Sequence, residues 1–133
     1  MQKNFLGIDY GEKRIGLALG NDAERIAHTF KIIHKINELD DIVPAKDIQA
    51  FVIGLPIQPD GTEGKTAEMV RLFAARLEEK FCLPIYWIDE RKSSVAAEKC
   101  LKETLYMRPD KRKDILDAES ARIILQRWFD AQC

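Results

Sequence analysis

Imidazole and paired thiol ligands are scarce in this chain of 133 residues. It contains only two histidines, and its three cysteines are far apart and form no C-x-x-C pair. A zinc site built from histidine and cysteine is therefore not expected. Scattered cysteines are typical of free thiols in a reducing cytosol rather than of a disulfide framework. The residues concerned are His28, His34, Cys82, Cys100 and Cys133.

Long apolar runs and an excess of either charge are also missing. No run approaches the roughly 18 residues of a membrane helix, and the N-terminus reaches Asp9 without the apolar stretch of a signal peptide. We therefore expect a cytoplasmic protein. Lys and Arg number 21 against 22 Asp and Glu, and the sequence pI is about 6.1. A generally basic nucleic-acid coat is excluded, so any nucleic-acid contact requires a local patch.

Nothing divides the chain into parts. It shows no repeat, linker or low-complexity tract, so residues 1–133 are interpreted as a single domain. A chain of this length, 46% hydrophobic, can bury a core without disulfides or a structural metal.

The pattern of apolar residues predicts about five strands and several helices. The first strands, joined by a turn at Tyr10–Lys13, form a hairpin. A helical segment, Asn37–Ile48, is interrupted by Pro44, which should break or restart it. The predicted strands are Phe5–Ile8, Arg14–Leu19, Ile26–Ile33, Ala50–Ile53 and Pro84–Ile88. Three later helices are predicted. The first buries Ala67, Val70, Ala74, Leu77 and Phe81, and the second, at Val95–Leu105, is capped by Ser93 or Ser94. The third, at Ile115–Phe129, follows a basic loop at Tyr106–Lys113.

The last two strands are apolar without alternation, which is typical of strands covered by helices on both faces. The order of elements, a three-stranded meander followed by alternating helix and strand, predicts a mixed α/β sheet in a three-layer domain.

Acidic residues fall where these strands end. Asp9 interrupts an apolar strand, and a buried carboxylate there needs a partner; the alternative is a turn-forming aspartate bonded to the Gly11 amide. Asp89 and Glu90 end a second strand, where ligands gather in α/β sheets, unless they form a solvated terminus neutralised by Arg91. Alternation places these two side chains on opposite faces, so at most one should point directly at Asp9.

A third acid, Asp117, continues an apolar stripe on the last helix. Asp117, Ala121, Ile124 and Trp128 follow one another at helical spacing, so the carboxylate belongs to the inward face. The alternative is a first-turn aspartate favoured by the helix dipole. Glu119, Arg122, Gln126 and Asp130 map to the outer face, and we expect Glu119 to be solvated.

Carboxylates without histidine suit a hard cation such as Mg²⁺ or Mn²⁺. One or two such ions, held by Asp9, Asp89 or Glu90, and Asp117, fit phosphodiester hydrolysis by water. Lysines and arginines near these acids would bind phosphate, unless they belong to ordinary solvated loops. They are Arg14, Arg91, Lys92, Arg108, Lys111, Arg112 and Lys113, and the neighbouring Tyr106 and Met107 would pack on bases.

The glycine-rich hairpin Gly7-Ile8-Asp9-Tyr10-Gly11 with Arg14-Ile15-Gly16 is similar to the phosphate hairpins of sugar kinases and actin-like ATPases, which need a far longer chain. Together with Val52–Pro56, Asp60–Gly64, Asp89–Arg91 and Asp117, it resembles the YqgF/RuvX family over nearly the whole chain. That family comprises nucleases for the 16S ribosomal RNA precursor and proteins similar to Holliday junction resolvases. The resemblance implies an RNase H-like fold and acidic positions at Asp9, Asp89 or Glu90, and Asp117. It also places Gly61 and Gly64 in a loop facing the same cleft.

The chain departs from the family at three places. Ser93 and Ser94 replace threonines, and Ser120 replaces a small alanine. Resolvase relatives carry a glutamate at the end of the fourth strand, where this chain has Gly54-Leu55-Pro56, so the second metal ligand must come from the fifth strand.

The expected function is a nuclease that processes the 5′ end of the 16S ribosomal RNA precursor, with ribosomal particles as further partners. The alternatives are a DNA four-way-junction resolvase, which needs a symmetric dimer, and a non-catalytic protein that binds nucleic acid in ribosome assembly or transcription.

Overall fold

The first two strands form the predicted hairpin. The computed structural model describes residues 3–58, 60–90 and 109–131, and for residues 109–118 it describes the backbone alone. Strand β1 spans Asn4–Tyr10, and strand β2 spans Ile15–Asn21. They pair antiparallel across the short turn 11–14. A Cβ at Gly11 would lie 2.7 Å from the Arg14 carbonyl oxygen, so this tight turn requires glycine.

Five strands make one mixed sheet, as predicted. Strand β3 (His28–Ile33) pairs with β2, and β4 (Ile48–Leu55) and β5 (Ile85–Asp89) add parallel to β1, giving the order β3-β2-β1-β4-β5. Strand β4 is longer than the predicted Ala50–Ile53 and is buried almost throughout, because it lies between two strands and between two helical layers.

Helices cover both faces of the sheet. Helix α1 (Leu39–Ala45) and helix α2 (Lys65–Phe81) belong to one face, and helix α3 (Pro109–Ala131) packs on the other. The α1 and α2 face is packed with Leu6, Ile8, Phe51, Ile53 and Leu77, and the α3 face with Phe5, Val52, Ala121, Leu125 and Phe129. The predicted three-layer arrangement is therefore confirmed.

The predicted break at Pro44 is confirmed to within one residue, because α1 ends at Ala45, and the chain then enters β4 at Ile48 instead of restarting a helix. Two other details of the predicted elements are wrong. Strand β5 is half-exposed rather than buried, since it is the edge strand of the described sheet. Helix α3 begins at Pro109 rather than Ile115, so part of the predicted basic loop is helical. Proline is well suited to that first position, because its fixed φ is already helical.

Some predictions fall outside the described residues. These are the helix Val95–Leu105 with its serine cap, and the side chains of Arg91, Lys92, Tyr106, Met107 and Arg108. Among the described helices, none combines the length and apolar character that crossing a membrane requires.

Candidate active site

The carboxyl ends of three parallel strands meet at one edge of the sheet, and the acidic residues lie there. Asp9 is the next-to-last residue of β1, Asp89 is the last residue of β5, and Glu90 follows directly. Because β1, β4 and β5 are parallel neighbours, their ends form the edge at which ligands bind in α/β sheets.

Asp9 points to the α3 face of the sheet. Gly7, two residues earlier, abuts α3 so closely that a Cβ there would lie 2.7 Å from Leu125 Cβ and 3.0 Å from the Ala121 carbonyl oxygen. Residues two apart in a strand share a face, so Asp9 faces the same helical layer. Its half-buried side chain has interaction partners within the protein.

Glu90 lies on this same face, and Asp89 does not. A Cβ at Gly54 would lie 3.1 Å from the Glu90 carboxyl carbon and 2.5 Å from Ile124 Cδ1 of α3. Ile88 also packs against the α3 side of the sheet, so alternation turns Asp89 toward the opposite layer, where its side chain is exposed. The predicted division of the two acids between opposite faces agrees with this geometry.

Two glycines flank Asp9 on the neighbouring strands. Gly16 is its direct partner across the β1–β2 ladder, and cross-strand partners share a face. On the other side Ile8 pairs with Ile53, which places Gly54 beside Asp9 on β4. Asp9 therefore lies between two strand positions that carry no side chain, and the side chains of Ile124 and Glu90 occupy the position that a Cβ at Gly54 would take.

Asp117 belongs to α3, four residues before Ala121 and seven before Ile124, both fully buried against the sheet. Its side chain lies outside the described residues, as do those of Lys111, Arg112 and Lys113. Among the side chains that the structure does describe, no group of three His, Cys, Asp or Glu residues could hold a metal ion. The described part of the site is thus the pair Asp9 and Glu90.

Arg14 follows the hairpin turn at the edge where Asp9 lies. Its side chain is half-buried, and its Nη1 atom is fully shielded from solvent. It has interaction partners within the protein. Of the seven basic residues predicted to contact phosphate, this is the one whose side chain is described.

The loop containing Gly61 and Gly64 connects the carboxyl end of β4 to α2, so it begins at the same edge. Gly61 has a φ of 90°, which favours glycine. The Glu63 carboxylate accepts hydrogen bonds from Arg71 Nε at 2.6 Å and Nη2 at 2.8 Å. This pairing with the guanidinium lowers the pKa of Glu63 and raises that of Arg71. The ion pair fastens the loop to α2.

Two polar contacts of α3 were not predicted from the sequence. Glu119 is not a freely solvated residue: its side chain is 17% exposed and accepts a hydrogen bond from Arg122 Nε at 2.7 Å. Arg127 Nη1 donates to the Asp89 carbonyl oxygen at 2.6 Å. Sequence patterns do not indicate this second contact, because its acceptor is a backbone carbonyl oxygen.

Comparison with known proteins agrees with this geometry. The sequence model of the RuvX family, described as Holliday junction resolvase, matches residues 3–131. A protein of Burkholderia vietnamiensis named "Putative pre-16S rRNA nuclease" is 43% identical, and the alignment covers 95% of this chain and 88% of that protein. A relative of the same name from Burkholderia ambifaria is 42% identical with the same coverage.

Solved structures support the fold. Thermus thermophilus RuvC in complex with a Holliday junction substrate superposes with a TM-score of 0.56 at 16% identity, covering 98% of this chain and 95% of that one. A second structure of the same protein gives a TM-score of 0.53 at 13% identity. The RNase H-like fold and the class of phosphodiester-hydrolysing nuclease predicted from the sequence are confirmed. The chain belongs to the RuvX family.

Proposed function

We propose that this protein is a divalent-metal-dependent nuclease that acts in the cytoplasm on the ribosomal RNA precursor, at the 5′ end of 16S rRNA. The observation that carries this proposal is the placement of Asp9 and Glu90 on one face of one sheet edge, beside the bare positions Gly16 and Gly54. Two carboxylates on the same face at the carboxyl ends of parallel strands can bind one cation together.

The donor set fits Mg²⁺ or Mn²⁺, because these ions prefer carboxylate oxygens. Asp9 and Glu90 would hold one or two ions, and Asp117 of α3 would supply the third carboxylate. Asp89 is the less suitable ligand, since it is exposed on the opposite face. Gly54 makes room for the Glu90 carboxyl group at its side, so the fifth strand supplies the acid that resolvase relatives carry on the fourth. Such ions, when bound, activate water and stabilise the leaving oxygen.

The remaining residues bind and orient the substrate. Arg14, at the acidic edge, would contact a phosphate and hold the RNA backbone over Asp9. The loop of Gly61 and Gly64 starts at the same edge and would border the cleft beside Gly11. Further phosphate contacts are assigned from the sequence to Arg91, Lys92, Arg108, Lys111, Arg112 and Lys113.

Two observations bear on the substrate. The relatives that are more than 40% identical over most of their length are named for pre-16S rRNA, and this favours RNA. The family description and the RuvC fold favour a second candidate, cleavage of a DNA four-way junction. That activity needs two active sites related by symmetry.

The test is a cleavage assay with Mn²⁺ on a pre-16S rRNA fragment and on a DNA four-way junction. We expect the wild-type protein to cut the RNA, and Asp9→Asn and Glu90→Gln to lose at least about a hundredfold in rate. Loss of a metal ligand removes several kcal/mol of transition-state stabilisation, at about 1.4 kcal/mol for each factor of ten.

Asp89→Asn is the matched control, because it removes one negative charge next to Glu90 but on the opposite face. It should keep nearly full activity. If it loses as much as Glu90→Gln, the assignment of the ligand to Glu90 is wrong. Cleavage of the junction alone would establish the second candidate, and cleavage of neither substrate would favour a non-catalytic binding protein.

A further inference from the structure

The peptide group that joins Asp89 to Glu90 is held from both sides. Its N–H, which belongs to Glu90, donates to the Leu55 carbonyl oxygen of β4 at 3.0 Å. Its carbonyl, which belongs to Asp89, accepts a hydrogen bond from Arg127 Nη1 of α3 at 2.6 Å. The first bond continues the β4–β5 ladder by one residue, whereas the second joins the strand end to the helix.

A peptide group is planar, so fixing its N–H and its C=O fixes the orientation of the whole plane. That plane fixes the positions of the Glu90 N and Cα atoms, from which the side chain extends to the carboxyl group beside Gly54. The side chains of Ile85–Ile88 are partly buried against the two helical layers, whereas Asp89 at the end of the strand is exposed. The short charge-assisted bond from Arg127 is therefore a specific constraint on this strand end.

We propose that Arg127 is a positioning residue for Glu90. This inference rests on the proposed metal-dependent function, since the orientation of Glu90 matters for activity only if its carboxylate binds the ion. Arg127 acts through the backbone of Asp89 and holds the Glu90 carboxylate on the α3 face, the face of Asp9. Groups that orient metal ligands in this way commonly change metal affinity by about tenfold to a hundredfold.

The charge of Arg127 and its positioning role predict opposite changes in cation affinity when the side chain is removed, so the inference can be tested. Removing a positive charge near an acidic site strengthens cation binding by simple electrostatics. Loss of positioning weakens it. Arg127→Ala tests the sign, and Arg127→Lys keeps the charge and a donor that can reach the carbonyl. Arg76→Ala, an exposed arginine on α2, is the matched control for loss of one surface charge.

Two measurements on the full chain separate the inference from the proposed function. Titration calorimetry with Mn²⁺ should show about tenfold weaker binding in Arg127→Ala, partial recovery in Arg127→Lys and no change in Arg76→Ala. Hydrogen exchange without metal should show a faster-exchanging Glu90 amide in Arg127→Ala, with the β1 and β2 amides unchanged.

The possible outcomes distinguish the positioning role of Arg127 from the proposed metal-dependent function. If the wild-type protein binds Mn²⁺ and Arg127→Ala binds it equally or more tightly, the positioning role is refuted while the proposed function stands. An unchanged Glu90 amide refutes the mechanical part, whatever the metal does. If the wild-type protein binds no Mn²⁺, the metal-dependent function and the positioning role both fail, even where the amide exchanges faster.

Discussion

Gly54→Ala should impair the site more than it impairs the fold. The new Cβ would lie 2.5 Å from Ile124 Cδ1, 3.0 Å from Ile124 Cγ1 and 3.1 Å from the Glu90 carboxyl carbon. Overpacking of this kind costs about 1–3 kcal/mol, offset by the roughly 0.5–1 kcal/mol that alanine gains over glycine in a strand. A net loss of about 1–2 kcal/mol corresponds to a decrease in Tm of about 5 °C for a domain of this size.

The Glu90 carboxyl group must then move by a few tenths of an ångström away from the new methyl group. Because metal ligands must stay within about 0.5 Å of their productive geometry, this shift uses up much of the tolerance, and we expect Mn²⁺ affinity and cleavage rate to fall by several-fold, up to about tenfold. Thermal unfolding measures the first effect, and calorimetry with Mn²⁺ at a temperature well below Tm measures the second.

Gly20→Ala is the matched control. Its Cβ would meet Phe129 Cε2 at 2.6 Å and the Ile26 carbonyl oxygen at 2.8 Å, so it also overpacks α3 against the sheet. Gly20 pairs with Phe5, at the opposite end of β1 from Asp9, and Mn²⁺ affinity should therefore not change. Equal losses of affinity in the two variants, or wild-type affinity in Gly54→Ala, would refute the reasoning about Glu90.

Two further predictions concern stability. Phe129→Ala should lower the free energy of unfolding in denaturant by about 3–5 kcal/mol. Phe129 is 1% exposed, and its ring packs edge-to-face on that of Phe5 with the ring centroids 5.6 Å apart. If Phe129→Ala loses no more stability than a Trp128→Ala variant, in which a half-buried ring is removed, the assignment of Phe129 to the core is contradicted. Glu38 accepts hydrogen bonds from the backbone N–H groups of His34 and Lys35, which lower its pKa from 4.5. A lowered pKa means stabilisation that is present above about pH 4.5 and lost as pH falls below it, so the difference in Tm between the wild-type protein and Glu38→Gln should shrink from pH 7 to pH 3. A difference independent of pH would show that the carboxylate contributes nothing.

Local patterns predicted what depends on neighbouring residues. The hairpin followed from a short apolar strand, a glycine turn and a second strand, and the inward stripe of α3 followed from helical spacing at Ala121 and Ile124. Both are determined within a few residues of chain, where turn chemistry and periodicity act directly.

The errors concern features that depend on the rest of the fold. An apolar run such as Ile85–Ile88 does not reveal that its strand lies at an edge, because exposure depends on the order of strands. Alternation separated Asp89 from Glu90, but the proposed choice of Glu90 rests on its contact with Gly54 on another strand. Arg127 reaches a backbone carbonyl far away along the chain, and a backbone acceptor leaves no mark in the sequence.

The mixed pairing of β1 has a consequence for the order of folding. Its ladder to β2 closes across a turn of a few residues, whereas its ladder to β4 and the ladder from β4 to β5 join distant parts of the chain. Contacts between neighbouring segments cost less loop-closure entropy than contacts between distant segments, so they form earlier in folding. Asp9 should thus reach its place early, on the hairpin. We expect Glu90 to reach its place only when the parallel strands dock, so the acidic edge should be completed after the hairpin has formed.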